Sequence, residues 1–170
     1  QIDYTYATFK STRLINGQTI ETTAGGVLNF VIGHRFGKIN DGWYDFWGLD
    51  NATIRLGFEY GITDDLNIGI GRSSFLKTYD GNIKWRFLKQ SSGYRNFPFS
   101  ATLYSSMAIN TTKWADPDRE NYFSSRLSYS HQILIARKFS NAFSLQIMPS
   151  YIHRNLVPTA EDQNDVFALG

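Results

Sequence analysis

Ala52-Thr-Ile-Arg-Leu-Gly-Phe-Glu-Tyr60 alternates at every step. Ile54, Leu56, Phe58 and Tyr60 fall on one face, and Thr53, Arg55, Gly57 and Glu59 on the other. A period of two specifies a strand with one apolar and one polar face. The polar face sets glycine between charges, and the same mixture returns along most of the chain. This pattern predicts an all-β, antiparallel, up-and-down transmembrane β-barrel, with aliphatic and aromatic side chains toward lipid and polar ones toward a lumen.

On either side of this stretch the chain reads as a series of such strands. An opening strand is expected over Ala7–Leu14, closed by the turn signal Asn16-Gly17. Val27–Phe36 follows, then a long insertion, Gly37–Asn51, and the strand quoted above. The tight connection Gly61–Asp65 leads to Leu66, Ile68 and Ile70 alternating with Asn67, Gly69 and Gly71. Tyr79–Phe87, Phe97–Asn110, Phe123–Phe139 and Phe143–Arg154 read as further strands, and Asp165–Gly170 as a strand cut short. The chain is therefore expected to be one β-barrel domain, residues 1–170, forming the N-terminal part of a longer barrel.

Connection lengths sort into two ends. Gly61–Asp65, Lys89–Asn96 and Ser140-Asn141 share one side, while Gly37–Asn51, Ser74–Lys77, Thr111–Tyr122 and Asn155–Asn164 share the other. Outer-membrane barrels carry short turns at the periplasmic rim and longer loops outside, and only Ser74–Lys77 is short for its side. Most strands reach nine residues or more, as a tilted span of ~9–11 residues requires.

A soluble barrel would reverse the two faces. Its solvent-facing strand positions would favour Lys, Glu and Thr, and glycine there would weaken the strand without return. Here Gly33, Gly57, Gly69 and Gly71 all lie on the polar face. In the simplest hairpin register Gly33 faces Arg55 and Gly69 faces Lys84, small beside long, as in a filled polar interior. Trp43, Tyr44, Phe46, Trp47, Trp114, Tyr122 and Phe123 gather at the long-loop end, and Phe97, Phe99, Phe139 and Phe143 at the other. Two aromatic girdles are expected of a barrel in a bilayer.

Composition agrees and excludes several classes. Aromatic residues make up 16% of the chain, yet mean hydropathy is slightly negative, as expected when apolar residues occupy every second position. No run approaches the ~18 apolar residues of a spanning helix. Net charge is +2 with no basic tract, so nucleic acid is not an expected partner. With no cysteine, disulfides and thiolate metal sites are excluded. The opening at Gln1 reads as a mature chain after removal of a secretion signal.

Three stretches carry a family resemblance: Gly33-His-Arg-Phe-Gly37, Gly48-Leu-Asp-Asn-Ala-Thr-Ile-Arg-Leu-Gly-Phe-Glu-Tyr-Gly-Ile-Thr-Asp-Asp65, and Lys77-Thr-Tyr-Asp-Gly81. With them the chain resembles an uncharacterised family of bacterial outer-membrane β-barrel proteins, a domain of unknown function. The resemblance spans roughly residues 8 to 170 and is strongest over 30 to 90. It implies the fold and the membrane and carries no activity, so no functional residue is transferred from it.

Candidate functional residues come from the polar face and one loop. Arg35, Arg55, Glu59, Asp80, Lys84, Arg86 and Arg126 are the expected lumen-facing charges, either a filter for a solute or a self-neutralising filling. Trp43, Tyr44, Phe46 and Trp47 give the insertion Gly37–Asn51 a surface for a partner or for lipid headgroups. Ser105 and His131 share the apolar parity of consecutive strands, a pair able to attack lipid esters. No Asn, Asp or Glu on that face is available to orient the histidine, so no catalytic residue is assigned. Asp116, Asp118, Glu120 and Asn121 lack the bend glycine of a calcium loop, and His34, His131 and His153 lack ligand spacing, so no metal or cofactor is expected.

The sequence therefore predicts a non-enzymatic outer-membrane barrel acting as a pore or transport accessory. A structural barrel docking a partner through residues 37–51 is the second reading, and a lipid-active hydrolase a distant third. Outer-membrane lipid is the expected partner, with other outer-membrane or surface proteins as a further class.

Overall fold

Strand ladders dominate the computed structural model, which describes residues 1–170. In chain order the strands are β1 (Ile2–Tyr4), β2 (Arg13–Leu14), β3 (Gly17–Gln18), β4 (Leu28–Arg35), β5 (Thr53–Gly61), β6 (Leu66–Ser73) and β7 (Tyr79–Leu88). They continue as β8 (Ser91–Gly93), β9 (Ser100–Ile109), β10 (Leu127–Lys138), β11 (Ser144–Ile147), β12 (Pro149–Arg154) and β13 (Asp165–Leu169). One antiparallel sheet runs β4-β5-β6-β7-β9-β10-β12-β13, with β11 beside β10. β11 and β12 keep one register against β10 and are interrupted at Met148, because Pro149 has no N–H to give the ladder.

Alternation decides the two faces. Ile54, Leu56 and Phe58 are 43%, 46% and 46% exposed, whereas Glu59, Lys84 and Thr102 are 8%, 4% and 0% exposed. The protein is apolar outside and polar inside, the reverse of a soluble barrel. On the outer face Arg72 lies over Tyr79 near the long loops, and Arg137 over Phe139 near the short turns.

Three expectations are corrected. The sheet is open rather than a closed ring, with β4 and β13 as its edges. Ala7–Leu14 is not a strand of the sheet; only the two-residue pair β2–β3 forms there, around the turn that Asn16-Gly17 signals, and β1 pairs instead with β8. The physical reason is the polar face itself, which needs hydrogen-bonding partners and takes them from the N-terminal segment. Gly69 faces Asn82, and Lys84 faces Asn67, whereas Gly33 does face Arg55.

Phe123–Arg126 is a 3₁₀ turn, so β10 begins at Leu127. The long insertion holds two short 3₁₀ turns, Ile39–Asp41 and Phe46–Gly48.

Candidate functional site

Residues 5–24 form a hairpin-like segment across the inner face. The segment enters beside β8, where Thr5 N donates to Gln90 O at 2.9 Å, and leaves beside Gly61, where Gly26 N donates to Gly61 O at 2.8 Å. Both points lie at the short-turn end. A side chain on Gly61 would sit 2.7 Å from the Ala24 carbonyl carbon, so glycine is required where the segment leaves the sheet.

Wall residues from the first rungs at that end hold the segment. Arg13 Nε donates to Glu59 Oε1 at 3.1 Å. Lys84 Nζ donates to Thr12 O at 3.2 Å and to Gln18 Oε1 at 3.3 Å. Gln146 accepts from Ile20 N at 3.0 Å and donates to Gln18 O at 2.8 Å. Thr102 donates to Ile20 O, Asn67 to Thr23 O, and Lys138 Nζ to Tyr6 O and Ala7 O.

Ile20 also packs with Leu134 and Ala136 in the one small apolar core, against Phe9, Tyr104 and Met148. Leu134 and Ala136 continue the otherwise polar parity of Ser128, Ser130 and Gln132. That break in pattern is the sequence signal for covering by protein rather than water.

The charges divide into separate groups. Arg55 Nε donates to Asp80 Oδ1 at 2.9 Å, with its guanidinium lying over Gly57 and Gly71. A Cβ at Gly57 would come within 2.6 Å of Arg55 Nη1, so the two glycines form the bed on which this ion pair rests. Arg86 pairs with Asp65 at 2.8 Å and Glu21 at 3.5 Å, and Lys89 adds a second cation at 2.9 Å from Asp65. Burial alone would raise the Asp65 pKa, but hydrogen bonds from Lys89 and Arg86 hold it below the usual carboxylate value.

Arg35 stands exposed beside Arg55 and Ser73 around a cavity of about 320 Å³ at the long-loop end. Arg126 is occupied in its loop, donating to Asn110 O and Thr112 O and lying 3.9 Å over Trp114. At the opposite end an open cavity of about 650 Å³ is lined by Tyr6, Lys10, Glu21, Asp64, Arg86 and Lys89.

In the long insertion, Trp43 and Trp47 meet edge to face at 5.3 Å, with Phe46 5.7 Å from Trp47. Phe46 and Trp47 hold φ of 45° and 53°, a left-handed backbone that bulky residues rarely adopt. Tyr44 is exposed.

Ser105 and His131 are ladder partners, and Ser105 Oγ lies 2.9 Å from His131 Nδ1. Asp165 arrives on the same wall but serves Tyr151 at 2.5 Å and His153 at 2.7 Å, while His131 only stacks on Tyr151. The third member that would orient His131 is thus engaged elsewhere. In the loop that resembles a calcium site, Asn121 donates to Asp116 O and Arg119 O, closing the loop on itself.

The family described as "membrane bound beta barrel domain" (DUF5777) matches residues 9–170. The chain belongs to this family. No curated protein and no solved structure matches it. For a membrane-bound DUF5777 domain the apolar outer face is a lipid-facing surface. From Leu127 to Arg137, β10 rises ~34 Å along the strand, which at ~35–45° of tilt spans the ~25 Å apolar band of a bilayer. DUF5777 membership assigns no chemistry to the inner face.

Proposed function

We propose that this protein is a non-enzymatic barrel of a Gram-negative outer membrane whose charged lumen is a solute path, held shut by residues 5–24. The observation that carries the reading is the pairing of the segment's Arg13 with Glu59 of the wall. A lumen built only as filler needs no removable part, whereas here the half nearest the short turns is closed by one segment, residues 5–24, that lies outside the sheet and is held mainly through polar bonds. Such bonds contribute ~0.5–1.5 kcal/mol each, and in aggregate they are reversible. Beyond the segment, Arg35, Arg55 and Asp80 bias the path by charge. Short turns at one end and long loops at the other support the outer-membrane orientation.

Planar-bilayer conductance of the intact chain tests this reading. Wild type opens rarely, and Arg13→Glu, which sets two carboxylates against each other, conducts steadily. Equal silence from both, with the Arg13→Glu segment demonstrably released to trypsin, overturns it.

The cluster of Trp43, Phe46 and Trp47 favours a second role, in which the insertion docks a surface partner or seats at the headgroup level. Detergent pull-down with and without residues 37–51 tests that role.

A further inference from the structure

We infer that the inner face is a binding surface for extended polypeptide, and that residues 5–24 occupy it as an intramolecular stand-in. This rests on the gated-path reading and gives that path a ligand class.

The wall bonds mainly to main-chain groups of the segment. Lys138 bonds the carbonyls of Tyr6 and Ala7, Lys84 that of Thr12, Thr102 that of Ile20, and Asn67 that of Thr23. Gln146 goes further, giving an N–H to Gln18 O and taking one from Ile20 N. That is the donor–acceptor pair a neighbouring strand supplies, here delivered by one side-chain amide. Bonds to the segment's side chains are fewer: Arg13 with Glu59, Gln18 with Lys84, Glu21 with Arg86, Thr22 with Asp64 O, and Thr23 with Asn29.

Main-chain groups are the same in every polypeptide, so a wall that reads them accepts many sequences. Side-chain demand centres on Ile20, seated in the small apolar core. Ile15, at the segment's turn, is 99% exposed, and Leu14 beside it is exposed as well. Nor does the segment exhaust the wall. Asn67 Oδ1 and Asn82 Nδ2 are buried beneath it without partners, next to Glu59 and Lys84. A private latch would be expected to satisfy both. The open cavity at the short-turn end, lined by segment backbone and by Arg86 and Lys89, gives an incoming chain access.

The test uses the full chain in detergent, as wild type, as Arg13→Glu, and as Arg13→Glu with Ile20→Asp. Release of the segment is scored by trypsin cleavage at Lys10. Probes are a fluorescein-labelled peptide of residues 5–24, a version of it scrambled at every position except Ile20, and a labelled dextran oligosaccharide, followed by anisotropy. Released variants bind both peptides with affinities within a factor of about three, as main-chain recognition requires. Wild type binds neither, and adding Gln146→Ala weakens both peptides alike, by about tenfold.

Preference for the native over the scrambled peptide, or for the oligosaccharide over both, overturns the inference. So does failure of a trypsin-sensitive double variant to bind either peptide. If a released variant conducts ions but binds no peptide, gating survives and the peptide assignment falls. If it binds both peptides without conducting, the reverse holds.

Discussion

Arg13 and Glu59 are 46 residues apart in sequence and meet on the inner face, the guanidinium of the N-terminal segment against the one carboxylate of β5. Both are largely shielded, Glu59 more so than Arg13. A hydrogen bond to a charged partner in such a setting is worth ~1.5–3 kcal/mol, or roughly a factor of 10 to 150 between held and released segment. Arg13→Glu is therefore expected to release the segment, and the double exchange Arg13→Glu with Glu59→Arg to restore closure. Channel recordings of the four combinations check this; failure of the exchange to re-close would dissociate the pair from gating.

Ile20 is the segment's apolar anchor. Ile20→Ala is expected to weaken segment attachment by ~2–4 kcal/mol, the range for emptying a buried aliphatic site. Trypsin should then cut at Lys10 and Arg13, while the sheet keeps its resistance to unfolding on an unheated SDS gel. Protection equal to wild type would show that polar bonds alone hold the segment.

Gly71 and Arg55 should behave as a unit. Gly71→Ala pushes the guanidinium away from Asp80 and is expected to cost ~1–3 kcal/mol, since one buried charged partner loses its bond. In an Arg55→Gln background the same substitution should cost much less. Urea unfolding of the cycle in detergent measures the coupling, and additive effects would contradict the packing described for this bed.

Asp65 gives a pH expectation with a definite sign. Its folded pKa lies below its unfolded value, so its contribution is present above the ordinary carboxylate range and is lost as pH falls through the folded pKa. Between pH 5 and 8 the Arg86–Asp65–Lys89 clamp should be constant. Acid unfolding should set in at higher pH for a protein without this buffer, so wild type and Asp65→Asn should converge only in strong acid. Curves that converge already near neutrality would refute the clamp.

Trp43 and Trp47 belong at the level of lipid headgroups if the insertion seats on the membrane. Their fluorescence should then be quenched by headgroup-labelled lipid and little affected by quenchers at the bilayer centre. Trp43→Ser with Trp47→Ser should remove most of that signal. Quenching only from the aqueous phase would favour the docking role.

Much of the sheet was legible because alternation is a local signal. Ile54, Leu56 and Phe58 against Arg55 and Glu59 fix both the strand and its facing, and Gly33 opposite Arg55 follows from the simplest antiparallel register of β4 and β5. The register of Lys84 was misread by two residues, since Asp65 serves Arg86 from the turn and draws β7 along β6. The N-terminal segment was illegible by periodicity. Phe9 alternates well enough with its neighbours to read as a strand, but nothing local says that the polar wall will outbid a ladder for its backbone. The clue lay far away, in Leu134 and Ala136 standing where polar residues were due. Likewise the Ser105–His131 contact follows from strand parity, whereas the engagement of Asp165 by His153 needed the edge strand β13 in place.

Because residues 5–24 go in and come out at the same rim, force has a direction here. A pull on the first residues from the short-turn side loads the fastenings one after another, the β1–β8 ladder first, then Lys138, then Lys84 and Glu59, as a zip is drawn. A push from the opposite rim strains them all together. The molecule should thus yield to a gentle tug from one compartment and resist the same load from the other, a mechanical one-way catch made from ordinary hydrogen bonds.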